Sequence, residues 1–336
     1  MKRFREFRTD AETRNKYAEV ELSASEFIYP YFVIEGKGIK QPISSLHGIA
    51  RYSIDELLLD LKETVALGIK SILLFGVIDD NEKDENGTAA YLPGSLVSMA
   101  VKAIKAQYPD ITVITDVCLC GYTSHGHCGV THNNEVLNDS TLLLLAQMAL
   151  RHAEAGADFV APSAMMDGQV EAIRSLLNVN RYRHTKILSY SAKYSSGFYG
   201  PFRDAAQSAP SFGDRKTYQM DYRTSSQAIS EVAADISEGA AWVMVKPAHT
   251  YLDIIQRIKS NFSETPLVAY QVSGEYMMIK AAAQAGYLNE EQAMLETLTA
   301  IKRAGADYII TYYAKDFAKL YNPNPLLAGK IQNNTI

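Results

Sequence analysis

Uniformly apolar runs follow a glycine at four places along the chain. They lie at 66–77, 154–163, 238–247 and 303–313, and in each the glycine comes directly after a stretch of helical pattern. Glycine suits the left-handed turn that ends a helix. A run without polar alternation is typical of a parallel strand that is buried on both faces. Each place therefore predicts a helix followed by a buried parallel strand.

Four further apolar runs have the same β-type composition without the leading glycine. They span 26–34, 111–119, 186–192 and 266–273. Amphipathic stretches of helical length lie between the eight runs, and several begin with Ser, Asp or Thr, which are favourable N-caps. These predicted helices span 54–67, 93–107, 140–155, 222–238, 251–260 and 289–303.

Eight strands that alternate with helices predict a closed (β/α)₈ barrel. A doubly wound sheet is the alternative, but the residues after Ile34 lack the G-x-G-x-x-G spacing that normally follows its first strand. No linker interrupts the pattern, so we expect one barrel domain at 26–330. Residues 1–25 precede it and are rich in Arg, Glu and Ser. We expect them to form an arm that packs on another subunit, with a frayed tail as the alternative.

The composition is that of an ordinary globular protein. The chain has 336 residues, a net charge of -5, 47% hydrophobic residues and 21% charged residues, which is too apolar for a disordered chain. The mildly acidic balance offers no basic surface for nucleic acid or an anionic membrane. The longest apolar run, 142–150, is too short to span a bilayer. The first residues, MKRFREFRTD, show no apolar signal segment. We therefore expect a cytoplasmic protein.

All three cysteines of the chain fall in one short segment. Chance would place Cys118, Cys120 and Cys128 this close together with a probability of about 0.003. Strand alternation predicts that Cys118 and Cys120 face the same way as Asp116, and Cys128 returns on a glycine-rich loop. Three thiolates form a natural zinc site, and three protein ligands leave one position open for water or substrate.

A structural zinc knuckle is the alternative for this segment. It would need a fourth ligand, which His125, His127 or His132 could supply. The predicted location at the carboxyl end of a barrel strand, where active sites lie, favours a catalytic metal.

Two lysines end predicted buried strands. Lys193 ends the run LSYSAK, and Lys246 ends AWVMVK. A lysine that is carried into a barrel mouth is poorly solvated and has a second ammonium group nearby, and both effects favour the neutral amine. A neutral amine attacks a ketone and forms a Schiff base. The pair therefore predicts Schiff-base chemistry.

A long stretch rich in Ser, Gly, Pro and aromatic residues, 194–221, is predicted to be a lid over the active site. It contains Arg203 and Arg215, whose guanidinium groups suit a substrate carboxylate. Ser273 and Tyr312 lie at the ends of the last two predicted strands, and their hydroxyls are candidates for a second carboxylate pocket. Either hydroxyl could instead cap a backbone group.

These segments resemble one family, the porphobilinogen synthases, also called 5-aminolevulinate dehydratases. The resemblance covers about residues 20 to 325 and rests on DVCLCGYTSHGHCG, APSAMMDG, YSAKYSSGFYGPFRDA, MVKPA and YQVSGEY. It implies a (β/α)₈ barrel with an N-terminal arm, usually assembled as a homo-octamer. It also implies a lyase that joins two molecules of 5-aminolevulinate into porphobilinogen, with loss of two waters, in haem and other tetrapyrrole synthesis.

The resemblance implies roles for the lysines and the cysteines. Lys246 would be the principal Schiff-base lysine and Lys193 the second one. Members of the family differ at the metal segment, and Cys118, Cys120 and Cys128 group this chain with the members that use zinc.

The resemblance also implies the carboxylate sites. Arg203 and Arg215 would bind the carboxylate of one substrate, and Ser273 with Tyr312 would bind that of the other. Glu231 matches a position that in many bacterial members helps to hold a hydrated allosteric magnesium near a subunit interface; otherwise it is a solvated carboxylate on a helix.

Two alternative functions remain open from the sequence. A Schiff-base aldolase on a similar barrel would need one lysine and no zinc. A zinc-stabilised scaffold protein would need no catalytic lysine, and its fold would depend on the metal.

Overall fold

The predicted alternation of strands and helices forms a closed barrel. A computed structural model describes residues 1–321 of the chain. Eight parallel strands lie side by side in chain order, and the last pairs with the first, with Phe27 opposite Ile309. The barrel strands are β1 (Phe27–Ile34), β2 (Ser71–Val77), β3 (Thr112–Val117), β4 (Phe159–Pro162), β5 (Lys186–Lys193), β6 (Trp242–Lys246), β7 (Leu267–Tyr270) and β8 (Tyr308–Ile310). The (β/α)₈ prediction is confirmed.

Helices surround the barrel, and each of the six predicted helices is present. The helices of the described residues are α1 (Ala11–Lys16), α2 (Ile54–Ala66), α3 (Leu96–Gln107), α4 (Asn138–Glu154), α5 (Gln169–Val179), α6 (Gly200–Ala205), α7 (Ser226–Glu238), α8 (Leu252–Asn261), α9 (Ser273–Gln284), α10 (Glu290–Arg303) and α11 (Ala314–Tyr321). Across residues 1–321, no helix has both the length and the apolar character needed to cross a bilayer.

The glycines that lead into strands have the backbone conformation that the pattern predicts. Gly239 ends α7 with a φ of 108°, and Gly305 follows α10 with a φ of 119°. Both values lie in the left-handed region that side chains disfavour. A Cβ at Gly305 would also lie 2.8 Å from the Cβ of Lys259. Glycine at these two turns lets each helix end directly before a buried strand.

A short hairpin, residues 40–52, adds to the barrel at its mouth. Lys40–Pro42 pairs antiparallel with Ala50–Tyr52, and the second of these strands runs parallel to the end of β1, with Arg51 opposite Phe32. On β1, the last strand β8 pairs only with the first two residues, Phe27 and Ile28. The hairpin therefore pairs with the last part of the same edge of β1, which β8 does not reach. The sequence pattern did not predict it.

The first residues lie outside this core. Residues 1–23 contain a turn at Phe4–Arg8 and the helix α1, and none of their side chains is buried. That this stretch packs on another subunit stays a prediction. The predicted end of the barrel domain, 322–330, lies outside the described residues.

Candidate active site

Two lysine amines lie side by side at the barrel mouth. Lys193 is the last residue of β5 and Lys246 the last residue of β6, and the two are direct partners in the parallel pairing. Partners in adjacent strands direct their side chains to the same face, about 5 Å apart. Each lysine is only 5% exposed. The predicted pair is therefore brought together in a buried position.

Aromatic rings surround the amine of Lys246. The ring centroids lie between 4.4 and 5.3 Å from Nζ, and the rings are those of Tyr270, Phe202, Tyr190 and Tyr199. Burial among them, together with the neighbouring ammonium group of Lys193, lowers the pKa of Lys246 to about 7. A substantial fraction of Lys246 is therefore the neutral, nucleophilic amine near neutral pH.

A β-bulge brings one of these rings between the two lysines. Strict alternation would put Tyr190 and Lys193, three residues apart, on opposite faces of β5. Between the pairs Ser189–Val243 and Ala192–Val245, however, β5 contains one more residue than β6. The extra residue reverses the alternation. The ring of Tyr190 thus lies 5.5 Å from the Lys193 amine and 5.1 Å from that of Lys246. Sequence reasoning missed Tyr190 because a bulge leaves no periodic signal.

A buried carboxylate faces the lysine pair. The Nζ of Lys193 donates a hydrogen bond to the backbone carbonyl of Ser163. Burial raises the pKa of Asp116, and the ammonium groups of Lys193 and Lys246 oppose that rise. The Oδ1 atom of Asp116 has no hydrogen-bond partner in the described part of the chain. From the sequence, Asp116 was predicted only to face the same way as two of the cysteines.

The three cysteines form one buried cluster. The Sγ atoms of Cys118, Cys120 and Cys128 all lie within 4.8 Å of one another, and those of Cys118 and Cys120 are 3.3 Å apart. The prediction that Cys118 and Cys120 lie on a strand is wrong. The strand β3 ends at Val117, and Cys120 lies in a 3₁₀ turn at Leu119–Gly121. The turn, not strand alternation, brings the sulfurs together, and they could bind a metal ion.

The histidines of this segment have other partners. His125 Nε2 bonds the carbonyl of Glu85 at 3.1 Å, and its Nδ1 accepts the backbone N–H of His127 at 3.1 Å. His127 bonds the carbonyl of Phe212 at 2.9 Å and the hydroxyl of Tyr218 at 3.1 Å. Both rings therefore use both nitrogens. His132 lies exposed in the small hairpin strand Thr131–His132. Among residues 1–321, the possible metal cluster consists of the three cysteines alone, which argues against a four-ligand knuckle.

The two predicted arginines lie near each other in the segment 194–221. Arg215 is 4% exposed, and its Nη2 donates to the carbonyls of Gly126 at 2.9 Å and Ser208 at 2.5 Å. Burial lowers the pKa of Arg203, and the Arg215 guanidinium lowers it further. The Nε atoms of both side chains lack partners among the described residues. Both arginines line a cavity of about 770 Å³. A carboxylate would satisfy these donors and relieve the repulsion.

Ser273 and Tyr312 are linked to rings that surround Lys246, Ser273 through a hydrogen bond from the N–H of Phe202 at 2.9 Å, but neither lies at the end of a strand. Ser273 is the first residue of α9, and Tyr312 lies two residues beyond β8. The expectation that each ends a strand is therefore wrong, because the apolar runs continue past the strand ends. The Tyr312 hydroxyl lies 3.3 Å from that of Tyr270, whose ring contacts the Lys246 amine at 4.4 Å.

The segment 194–221 is attached to the lysines at both ends. The N–H of Tyr194 donates to the carbonyl of Lys246 at 2.9 Å, and the N–H of Met220 donates to that of Lys193 at 3.1 Å. Beneath it, a cavity of about 20 Å³ reaches Asp116, two of the cysteines and Phe202. Such a cavity has room for about one water molecule.

Glu231 lies apart from this group, on the helix α7. Its carboxylate accepts a hydrogen bond from Gln227 at 3.1 Å and lines a cavity of about 950 Å³ together with Asp167. Burial raises the pKa of Glu231, and the charges of Asp167 and Glu238 raise it further.

Comparison with known proteins identifies the family. The family model described as delta-aminolevulinic acid dehydratase matches residues 1–320. Proteins of that name from Halalkalibacterium halodurans and Bacillus subtilis are each 50% identical to this chain, over 96% and 94% of it and 97% of each relative. A solved structure of the Toxoplasma gondii delta-aminolevulinic acid dehydratase, in complex with the reaction product porphobilinogen, superposes with a TM-score of 0.94 at 42% identity. That match covers all of this chain and 96% of the other. The chain therefore belongs to the delta-aminolevulinic acid dehydratase family.

Proposed function

We propose that this chain joins two molecules of 5-aminolevulinate into porphobilinogen, with loss of two waters, through Schiff bases on Lys246 and Lys193. The observation that carries the proposal is the pair of buried amines side by side at the barrel mouth. A neutral amine attacks the carbonyl carbon of a keto substrate, and the carbonyl oxygen leaves as water. The resulting imine makes the adjacent carbon acidic enough to form a carbon–carbon bond. Two amines therefore suit a condensation of two keto acids.

We assign one carboxylate site to each lysine. Ser273 follows β7, the strand next to β6, and Tyr270 of β7 links Tyr312 to the Lys246 amine, so we assign both hydroxyls to the substrate on Lys246. Arg203 and Arg215 belong to the segment that begins directly after Lys193. We assign the arginines to the other substrate. Two fixed substrates under one cover replace a bimolecular encounter by proximity.

We propose zinc as the metal of the cysteine cluster. Three buried sulfurs within 4.8 Å of one another suit a thiophilic cation, and the lack of a fourth protein ligand among residues 1–321 leaves a position for substrate. Cys118, Cys120 and Cys128 would hold the ion. When bound, zinc would supply Lewis acidity to the carbonyl or the amine of the second substrate. The nearby guanidinium of Arg215 helps to balance the thiolate charge. Burial lowers the pKa of Arg215, but the charges of Cys128 and Cys120 more than offset this effect, so its pKa is raised.

We also propose a hydrated allosteric magnesium at Glu231 and a homo-octamer with residues 1–25 as the subunit arm. The carboxylates of Glu231 and Asp167 line one cavity, and their mutual repulsion supports a cation there. Residues 1–23 bury none of their side chains, and Phe4 and Phe7 are exposed, which supports a partner for this stretch.

Borohydride trapping tests the lysine assignment. We expect sodium borohydride, added with 5-aminolevulinate, to reduce the imine and leave a stable adduct on the peptide that contains Lys246. Lys246→Ala should lose this adduct and about 10³-fold or more of the activity. Lys186→Ala is the matched control, because Lys186 is the exposed first residue of the strand that ends at Lys193. Full turnover by Lys246→Ala would contradict the proposal.

Metal removal separates the enzyme from a zinc-stabilised scaffold. We expect a chelator to abolish condensation and added zinc to restore it, while the circular dichroism spectrum stays unchanged, because strand pairing and core packing hold the barrel. Melting of the barrel on chelation would instead favour the scaffold. The aldolase alternative needs neither the second buried lysine nor the metal, so activity that resists the chelator would favour it.

A further inference from the structure

One short helix determines how the segment 194–221 covers the active site. Phe202, on α6, lies with its ring 5.0 Å from the Nζ of Lys246. Arg203 is the next residue of the same helix. The carbonyl of Ser208, just beyond the helix, accepts the hydrogen bond from Arg215. The location of α6 therefore sets both the cover over Lys246 and the arrangement of the two arginines.

A buried arginine from the short hairpin, residues 40–52, holds the end of this helix. Arg51 is 8% exposed, its Nε donates to the carbonyl of Ala205 at 2.8 Å, and its Nη2 donates to that of Asp204 at 2.7 Å. These are the last two carbonyls of α6. Carbonyls at a helix end lack partners within the helix and carry the negative end of its dipole, so a cation there is stabilising. The Nη1 of Arg51 bonds Gln41, on the other strand of the hairpin, at 3.2 Å.

We propose that Arg51 is a positioning residue for the condensation. It fastens α6 over the barrel mouth and thereby holds Phe202 and Arg203 against the substrates. This inference rests on the proposed function, because it takes Arg203 as a ligand of a substrate carboxylate. It also gives the hairpin a role in the reaction, although the hairpin lies outside the ring of eight strands.

The chemistry of the contact suits an arginine and a movable cover. The planar guanidinium presents adjacent donors that match two neighbouring carbonyls, which a lysine ammonium does not do. Lys83 adds a second attachment through the carbonyl of Gln207 at 2.8 Å, and Ser45 adds a third through the side chain of Asp204. Because Lys193 and Lys246 are each only 5% exposed, the cover must move to admit substrate. Hydrogen bonds to backbone carbonyls can break and re-form in that movement.

Hydrogen exchange and kinetics on the full-length enzyme test the proposal. In Arg51→Met we expect the amides of residues 200–219 to exchange about tenfold faster or more, while the barrel strands exchange at the wild-type rate. The KM for 5-aminolevulinate should rise about tenfold, with a smaller fall in kcat, because the competent closed state becomes less populated. Arg51→Lys keeps the charge but loses the planar guanidinium with its adjacent donors. Its exchange rates and KM should therefore lie between those of wild type and Arg51→Met.

A matched control separates positioning from general stability. Arg174 also bridges two backbone carbonyls, those of Thr185 at 2.8 Å and Tyr182 at 3.1 Å, but ahead of β5 and away from the mouth. We expect Arg174→Met to lower the melting temperature while leaving KM and the exchange of residues 200–219 within about twofold of wild type.

The outcomes distinguish this inference from the proposed function. Arg51→Met with wild-type KM and wild-type exchange overturns the positioning role, as does an equal KM change in Arg174→Met. If Arg51→Met does not fold, Arg51→Lys and Lys83→Met decide by the same two measurements. If exchange accelerates in these variants but Arg203→Met keeps the wild-type KM, the fastening stands and the carboxylate assignment of the proposed function fails.

Discussion

The pKa of Lys246 is set by side chains that belong to distant parts of the chain. The aromatic rings around its amine come from β5, from β7 and from the segment 194–221. The attraction between an ammonium group and aromatic faces stabilises the charged form. The loss of water costs more, because an ammonium group loses its hydration shell while Lys193 repels it. The balance lowers the pKa of Lys246 to about 7. A substantial fraction of the amine is therefore neutral near pH 7.

This balance predicts the pH dependence of trapping at Lys246. The neutral fraction reaches one half near pH 7, so the rate of adduct formation should rise with pH through that value and level off about one pH unit above it. In Phe202→Ala, water reaches the amine and the pKa of Lys246 moves back toward that of free lysine. The rising limb of the plot of trapping rate against pH should therefore shift upward by about one pH unit. Peptide mapping after brief borohydride treatment at a series of pH values measures it.

The control for this prediction is a phenylalanine away from the site. Phe262→Ala removes a partly buried ring that follows α8, and it should leave the limb where wild type has it. A limb that stays at the wild-type pH in Phe202→Ala would show that the lid ring does not set the pKa of Lys246.

At the residue scale, which residues lie together was predictable from the sequence, and how they are held together was not. The identities of Lys193, Lys246 and the three cysteines pointed to one site, because they cluster at the ends of apolar runs. The β-bulge that aims Tyr190 at the lysines and the 3₁₀ turn that holds Cys120 have no periodic signature. Strand alternation was therefore the wrong rule at the two places where the site departs from regular structure.

At the element scale, uniformly apolar runs located all eight barrel strands but not their ends. The run 266–273 contains both the strand β7 and the first residue of α9, since both are buried. Periodicity cannot separate a buried strand from a buried helix start within so few residues. The same limit hid the hairpin at 40–52, whose strands have three residues each.

A buried carboxylate fixes where α9 begins. Glu275 is fully buried and accepts the backbone N–H groups of Val272 at 2.9 Å and His249 at 2.7 Å, with longer contacts to Ala248 at 3.3 Å and Thr250 at 3.4 Å. It therefore joins the loop after β6 to the start of α9. One side chain connects the element that carries Lys246 with the element that carries a proposed substrate ligand.

We predict that Glu275→Gln weakens this connection. An amide offers one acceptor oxygen in place of two and puts an NH₂ group against backbone donors, so the free energy of unfolding should fall by about 1–3 kcal/mol. Because Ser273 begins α9, KM for 5-aminolevulinate should rise as well. Urea denaturation and steady-state kinetics measure the two effects. Glu296→Gln, on the exposed side of α10, should change neither; equal behaviour of the two variants would contradict the role of Glu275.

At the scale of the whole molecule, the barrel was predictable because its signal repeats. Eight apolar runs alternate with stretches of helical pattern, and a glycine leads into four of the runs, so errors at single ends do not alter the topology. The cover over the site follows from contacts between residues far apart in the chain, such as Arg51 with Ala205. Such contacts leave no local pattern, and the fastening could only be recognised in the folded structure.

One buried histidine links the stability of the molecule to acid. His152 lies in α4 with none of its surface exposed, and within residues 1–321 neither ring nitrogen has a hydrogen-bond partner. Burial lowers the pKa of His152 to about 3, from an ordinary value of 6.5. The folded state therefore holds the neutral ring at pH values where the unfolded chain binds a proton. Stability is fully present above pH 6.5 and falls as the pH decreases toward 3.

We predict that His152→Leu removes this part of the acid sensitivity. Between pH 7 and about pH 4.5 the wild type should lose about 2–3 kcal/mol more of its unfolding free energy than the variant, since one pH unit corresponds to about 1.4 kcal/mol for one proton. Urea denaturation at both pH values and at one protein concentration measures the difference, and the other titrating groups cancel between the two proteins. His184→Leu, which replaces an exposed histidine, should keep the wild-type slope. If His152→Leu loses as much stability in acid as wild type does, the buried ring is not the group through which acid acts.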